Sequence, residues 1–155
     1  MNKNKDNAGL PVQPPLLMSI FLVVALLFGW KLPVPIPCPW WMQVLGGLIV
    51  LAGLTSALSA VSMMRRANTS PDPRKASNAL VTDGPYKISR NPIYLGYLMI
   101  LIGLPLIPGY YWGAILAPVA LDAYNRLIIE REEGYLEKRF GQTYLGYKAG
   151  VRRWL

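Results

Sequence analysis

Leu16-Leu-Met-Ser-Ile-Phe-Leu-Val-Val-Ala-Leu-Leu-Phe-Gly-Trp30 carries no charge, and the uncharged stretch around it runs from Asp6 to Lys31. A second charge-free stretch runs from Lys31 to Arg65. The hydrocarbon core of a bilayer is about 30 Å thick and a helix rises about 1.5 Å per residue, so roughly 20 apolar residues cross it. Both stretches meet that length, and membrane-spanning helices are expected over 15–34 and 41–64. Between Arg90 and Arg126 the only charge is Asp122. That third stretch is too long for one helix, and Pro105, Pro108 and Gly109 break it. It reads as a hairpin of two helices, 93–107 and 111–129, whose first leg is short at roughly 22 Å. The expected fold is an all-α integral membrane protein of about four transmembrane helices, a single domain over 1–155.

Composition agrees with this reading. Of the 155 residues, 53% are hydrophobic and only 15% charged, against about 25% charged in an ordinary soluble domain. With four spans, the N-terminus, the Arg65–Arg90 loop and the C-terminal tail share one side. That side carries every Lys and Arg except Lys31, which makes it the cytoplasmic one and places both termini there. In a prokaryote the membrane would be the inner one. The net charge of +8 is then a matter of topology and anionic headgroups. The basic residues are dispersed along membrane borders, so nucleic acid is not an expected partner. Trp30, Trp40, Trp41, Tyr110, Tyr111 and Trp112 fall at the opposite border as an aromatic belt. The alternative for the first run is a cleaved signal peptide, since Lys3 and Lys5 precede it, but no small-x-small site follows Trp30.

Cys38 is the only cysteine and histidine is absent. An internal disulfide, a His-based zinc site, a Ser-His-Asp triad and a His-ligated haem are excluded, and no metal is expected. Neither a Walker loop nor Gly-x-Gly-x-x-Gly after a strand is present.

Two cytoplasmic segments hold more than a connector needs. In the first, Pro71 and Pro73 disfavour helix, Asp83-Gly84-Pro85 signals a turn, and Leu80 and Val81 stand out as apolar. In the second, Leu136, Phe140, Tyr144, Tyr147 and Val151 recur at three- and four-residue steps. They mark one face of an amphipathic helix, with Gly141 as a break in it. A helix lying on the inner leaflet explains most of its charges. Glu132 and Glu133 are suited instead to a cationic ligand.

The stretch Ala79-Leu-Val-Thr-Asp-Gly-Pro-Tyr-Lys-Ile-Ser-Arg-Asn-Pro-Ile-Tyr-Leu-Gly96 resembles the isoprenylcysteine carboxyl methyltransferase family and its bacterial relatives. Glu132-Glu133, Leu136, Phe140-Gly141, Tyr144 and Tyr147 resemble that family's C-terminal pattern in the expected order. The phospholipid methyltransferases are of related architecture. The resemblance covers about Arg65 to Val151. It implies a methyltransferase-like core over 65–155 (cofactor loop 65–92, hairpin 93–129, C-terminal segment 130–155) behind two N-terminal spans in 1–64.

The resemblance further implies S-adenosylmethionine as cofactor, in a cytoplasm-facing pocket. By position the cofactor residues are Asn78, Ala79, Leu80, Val81, Tyr86, Asn91, Pro92, Ile93, Tyr94 and Glu132. Asn91 stands where the eukaryotic members have His, and Ile128 where they have a substrate-side Arg. Arg126, Arg131 and Glu133 are the nearest candidates for the acceptor. No residue is assigned a catalytic role, because a sulfonium is already activated and alignment with exclusion of water suffices. The acceptor would be lipidic or amphipathic, entering from the bilayer, either a carboxylate or an amine. The alternative function is a four-helix transporter or channel subunit, with Asp122, in the fourth expected span, as a proton-coupling carboxylate; against that, Asp122 sits one turn from Asn125 and Arg126 and can snorkel to a polar helix end. A reductase using NADPH has no recognisable reader of the 2′-phosphate.

Overall fold

The computed structural model describes residues 8–155; Lys3, Lys5 and Asp6 lie outside the described residues. Helix α1 covers Pro14–Lys31 and opens on a proline at its first position, where the missing N–H costs nothing. It stops short of the expected residue 34. Pro33 and Pro35 follow within four residues of Lys31 and cannot donate to helical carbonyls. Helix α2, Trp40–Arg66, ends on Arg65 and Arg66, cations that complement the negative helix terminus. Helix α3 is Pro92–Leu106 and α4 is Trp112–Tyr124.

The segment expected as one helix over 111–129 changes character inside it. After Tyr124 the chain makes a π-helical turn, Asn125–Ile129, and continues as α5, Glu130–Phe140. Successive residues of an α-helix point about 100° apart; the widened turn brings both Ile128 and Ile129 to full burial. Gly141, at φ 52°, separates α5 from α6, Gln142–Gly150, so the expected break is there. The described residues hold helices and connecting loops only. Two helices, α1 and α2, are long and apolar enough to cross a membrane, whereas α3 is apolar but has 15 residues.

Glycine pairs weld α2 to α3. A Cβ on Gly46 would stand 2.7 Å from the Gly103 carbonyl oxygen, and one on Gly103 would stand 2.5 Å from that of Gly46. Gly53 and Gly96 repeat the arrangement, at 2.8 and 2.5 Å. The contacts run 46 to 103 and 53 to 96, so the helices are antiparallel with their backbones touching. Small residues permit this approach where hydrocarbon gives no hydrophobic drive between helices. Ser56 adds a hydrogen bond of 2.9 Å to the Pro92 carbonyl.

Helices α1, α3 and α4 close around Leu17, Ala25, Tyr94, Leu98, Leu101, Ala120 and Tyr124. The Tyr124 hydroxyl donates to the Pro14 carbonyl at 2.9 Å. At the other end Trp112 Nε1 donates to the Leu32 carbonyl at 2.7 Å, and Tyr111 Oη donates to that of Pro37 at 3.1 Å. The α1–α2 and α3–α4 turns therefore meet at one end, and the 67–91 loop and C-terminal segment meet at the other. Leu16, Ile20, Val23 and Leu27 of α1, and Val44, Leu48, Leu51 and Leu58 of α2, face outward. An exposed apolar surface on that scale suits lipid rather than water.

Candidate active site

The loop after α2 is shaped before it reaches the site. Asn68 takes a left-handed conformation, φ 53°, and the loop returns so that the Asn78 N–H donates to buried Thr69 Oγ1 at 3.0 Å. Asn78 Nδ2 donates to the Asn68 carbonyl at 3.1 Å. The Ser77 N–H donates to Tyr135 Oη at 3.0 Å, which ties the loop to α5. Gly84, at φ +59°, lies against Met63, where a Cβ would meet the sulfur at 2.2 Å. That tight turn drops Tyr86 into a buried position, and Tyr147 Oη of α6 donates to its carbonyl at 2.7 Å.

These elements enclose an open pocket of about 860 Å³, its mouth and the adjoining solvent included. Ala79, Leu80, Val81, Tyr86, Asn91, Pro92, Ile93, Tyr94, Glu132 and Glu133, all singled out from the sequence, line it together. They come from the loop, the start of α3 and the start of α5. Asn78 is not among the lining residues; its side chain braces the loop. Arg126 is not either: its Nε lies 2.8 Å from Asp122 Oδ1, both exposed on the outer surface. Arg131 reaches the Gly9 carbonyl at 3.4 Å instead of the pocket.

Tyr94 Oη donates to Glu132 Oε1 at 2.6 Å. Burial pushes the Glu132 carboxyl up to about 7; the Tyr94 hydrogen bond pulls the other way and the neighbouring Glu133 charge adds to the rise. Burial likewise pushes Tyr147 up to about 12 and Tyr86 well above the ordinary phenol value. Both phenols stay protonated donors at neutral pH.

Sequence reasoning missed the cluster behind this wall. Glu133 is 7% exposed and Arg90 9%, and Arg90 Nη2 lies 3.0 Å from Glu133 Oε1. Arg153 donates to both oxygens of Glu133, at 3.1 and 2.8 Å. Lys148 Nζ lies 3.7 Å from Glu133 Oε2 and also pairs with Glu137. Backbone bonds latch the tail to the same place. The Arg90 N–H donates to the Arg152 carbonyl at 3.0 Å, and Ser89 Oγ and Asn91 Nδ2 donate to that of Arg153 at 3.2 and 2.9 Å. Trp154 Nε1 donates to Asn125 Oδ1 at 3.1 Å, on the π-helical turn. The apolar periodicity that marked the tail ends at Val151, so nothing in the pattern pointed to Arg153 or Trp154.

The family model described as phospholipid methyltransferase matches residues 41–143. The chain belongs to that family. Protein-S-isoprenylcysteine O-methyltransferase B of Arabidopsis thaliana is 29% identical to this family member over 114 residues, 72% of this chain and 58% of that protein. Protein-S-isoprenylcysteine O-methyltransferase of Schizosaccharomyces pombe is 32% identical over 78 residues, 50% of this chain and 33% of that protein. An uncharacterized protein of Haemophilus influenzae is 40% identical over 63 residues, 41% of this chain and its own entire length. The resemblance to isoprenylcysteine methyltransferases read from the two motif blocks is thereby borne out. This family member spans 58% and 33% of the lengths of the two named methyltransferases. No solved structure matches it.

Proposed function

We propose that the chain is an integral membrane methyltransferase that moves a methyl group from S-adenosylmethionine to a lipidic or amphipathic acceptor. The observation that carries this reading is the convergence of both motif blocks on one pocket, with Tyr94 hydrogen-bonded to Glu132 at its wall. Family membership supports it.

The donor set fits such a cofactor. Ala79, Leu80 and Val81 offer an apolar wall for a flat ring, and Glu132 offers a carboxylate to an ammonium or ribose hydroxyls. When bound, the cofactor supplies an electrophilic methyl group on a cationic sulfur. Tyr86 and Tyr94 line the pocket, and aromatic rings are suited to a cation. The apolar walls exclude water and fix the line of approach, which is most of what a methyl transfer asks of a protein. An acceptor carboxylate or amine on that line would take the methyl as its bond to sulfur breaks and the neutral thioether leaves, and an amine acceptor would then shed its proton to solvent.

The same reading takes α1, α2, α3 and α4 with its π-helical turn as four spans with both termini cytoplasmic, which puts the pocket on the cytoplasmic side. In the transporter alternative Asp122 is a proton-coupling carboxylate of the fourth span; in the structure it is exposed and ion-paired with Arg126. Incubation of purified protein with methyl-labelled S-adenosylmethionine and total membrane lipid tests the proposal. Label in a lipid or amphipathic product supports it; absence of both cofactor binding and any labelled product overturns it.

A further inference from the structure

Arg90 has a feature that the ion-pair cluster does not consume. Its guanidinium is nine-tenths buried, Nη2 is engaged by Glu133, and Nε and Nη1 have no hydrogen-bond partner among the described residues. Buried donors without partners are rare and costly in folded proteins, more so on a charged group. Arg90 is also a lining residue of the pocket, beside Asn91, Tyr144 and Tyr147.

The charge around it is lopsided. Arg90, Arg153 and Lys148 all gather on the single carboxylate of Glu133, with Glu137 taking a share of Lys148. This end of the pocket is short of negative charge. Glu132, on the same wall, supplies an acceptor held by Tyr94. A pocket with a carboxylate and an under-used guanidinium complements a zwitterion.

We infer that Arg90 holds the carboxylate of the cofactor's amino-acid moiety, through an N–H that the protein leaves free, while Glu132 takes the adjacent ammonium. This rests on the cofactor reading above and assigns the orientation of the ligand within the pocket. A carboxylate belonging to the acceptor is the other source of the same chemistry. The position of Arg90 favours the cofactor: its backbone is held by the Arg152 carbonyl of the C-terminal tail and its side chain is nine-tenths buried.

The test compares S-adenosylhomocysteine with its decarboxylated counterpart, which keeps the adenosine, thioether and amine, by titration calorimetry on purified full-length protein. The wild-type protein binds S-adenosylhomocysteine about tenfold or more tightly than the decarboxylated ligand, as befits loss of a charge-assisted bond. In Arg90→Gln the two affinities converge to within about twofold. Equal binding of the two ligands by the wild-type protein overturns the assignment while leaving the cofactor reading intact, and this comparison needs no variant to fold. A preference that persists in Arg90→Gln also overturns it, since another group then reads the carboxylate. Binding of neither ligand removes the cofactor reading itself, and the assignment with it.

Discussion

The hydroxyl of Tyr94, on the first turn of α3, donates to the carboxylate of Glu132, on the first turn of α5, at 2.6 Å. One hydrogen bond thus joins two motif blocks 38 residues apart. It leaves one carboxylate oxygen of Glu132 for a ligand.

Under the proposed function, Glu132 makes cofactor affinity pH-dependent. Its carboxyl titrates near 7 in the folded protein, above the ordinary 4.5, and a cationic ligand prefers the ionised form. Affinity for S-adenosylmethionine therefore rises from pH 6 to pH 8 and levels off above. Glu132→Gln flattens the profile and weakens binding about tenfold or more at pH 8. Because the Tyr94 bond holds the carboxyl down, Tyr94→Phe moves the midpoint upward. Calorimetric titration across pH checks all three outcomes.

Stability carries the opposite sign. The folded state holds the Glu132 proton more tightly than the unfolded chain does, so this group's contribution to stability is complete below about pH 4.5 and is lost as pH rises toward 7. Thermal melts in a mild detergent show a decline across that window, and Glu132→Gln removes this component of it.

Breaking the Glu133 cluster is costly. Glu133→Gln leaves Arg90 buried without its counter-charge, and loss of one partner of a buried pair destabilises by about 3–5 kcal/mol. Asp122→Asn opens only the exposed pair with Arg126, which water and salt screen, so the midpoint barely moves. Denaturant or thermal unfolding of the two variants side by side separates these outcomes.

The glycine seam is intolerant of side chains. In Gly53→Val or Gly96→Val the new carbons fall 2.5–2.8 Å from a facing carbonyl oxygen, so α2 and α3 must part. A loss of about 3 kcal/mol or more is expected, at or beyond the upper end of overpacking costs. Gly47→Ala, where nothing lies within 4 Å, is neutral or slightly stabilising through helix propensity. Thermal melts of the three variants provide the check.

Asn91 serves the tail. Its side-chain amide donates to the Arg153 carbonyl, so Asn91→Ala loses about 1 kcal/mol of stability and makes the last residues more accessible to carboxypeptidase. Cofactor affinity falls by less than in Glu132→Gln. An equal fall would identify Asn91 as a cofactor contact in its own right.

Much of this was legible in the chain itself. Charge-free runs announce α1 and α2 because hydrocarbon tolerates no unpaired charge over that length. The two motif blocks announce the pocket because their residue types and spacing were unbroken, and ten of the thirteen singled-out positions line it. Arg126 and Arg131 were chosen by nearness in sequence to Ile128, where the resembled family has its substrate-side arginine. On a helix, neighbours one residue apart point about 100° apart, and these two side chains look elsewhere.

What the sequence by itself determined is an apolar, helical chain with its polar chemistry in two segments at one end, because hydropathy and local turn chemistry act on residues near one another. Tertiary structure alone decided the contact of Gly46 with Gly103, the convergence of Arg90, Lys148 and Arg153 on Glu133, and the Tyr94–Glu132 bond. Each joins residues far apart in the chain, through backbone approach or burial that no local pattern encodes. The two nitrogens of Arg90 that have no partner among the described residues emerge only when the donors and acceptors of those residues have been placed.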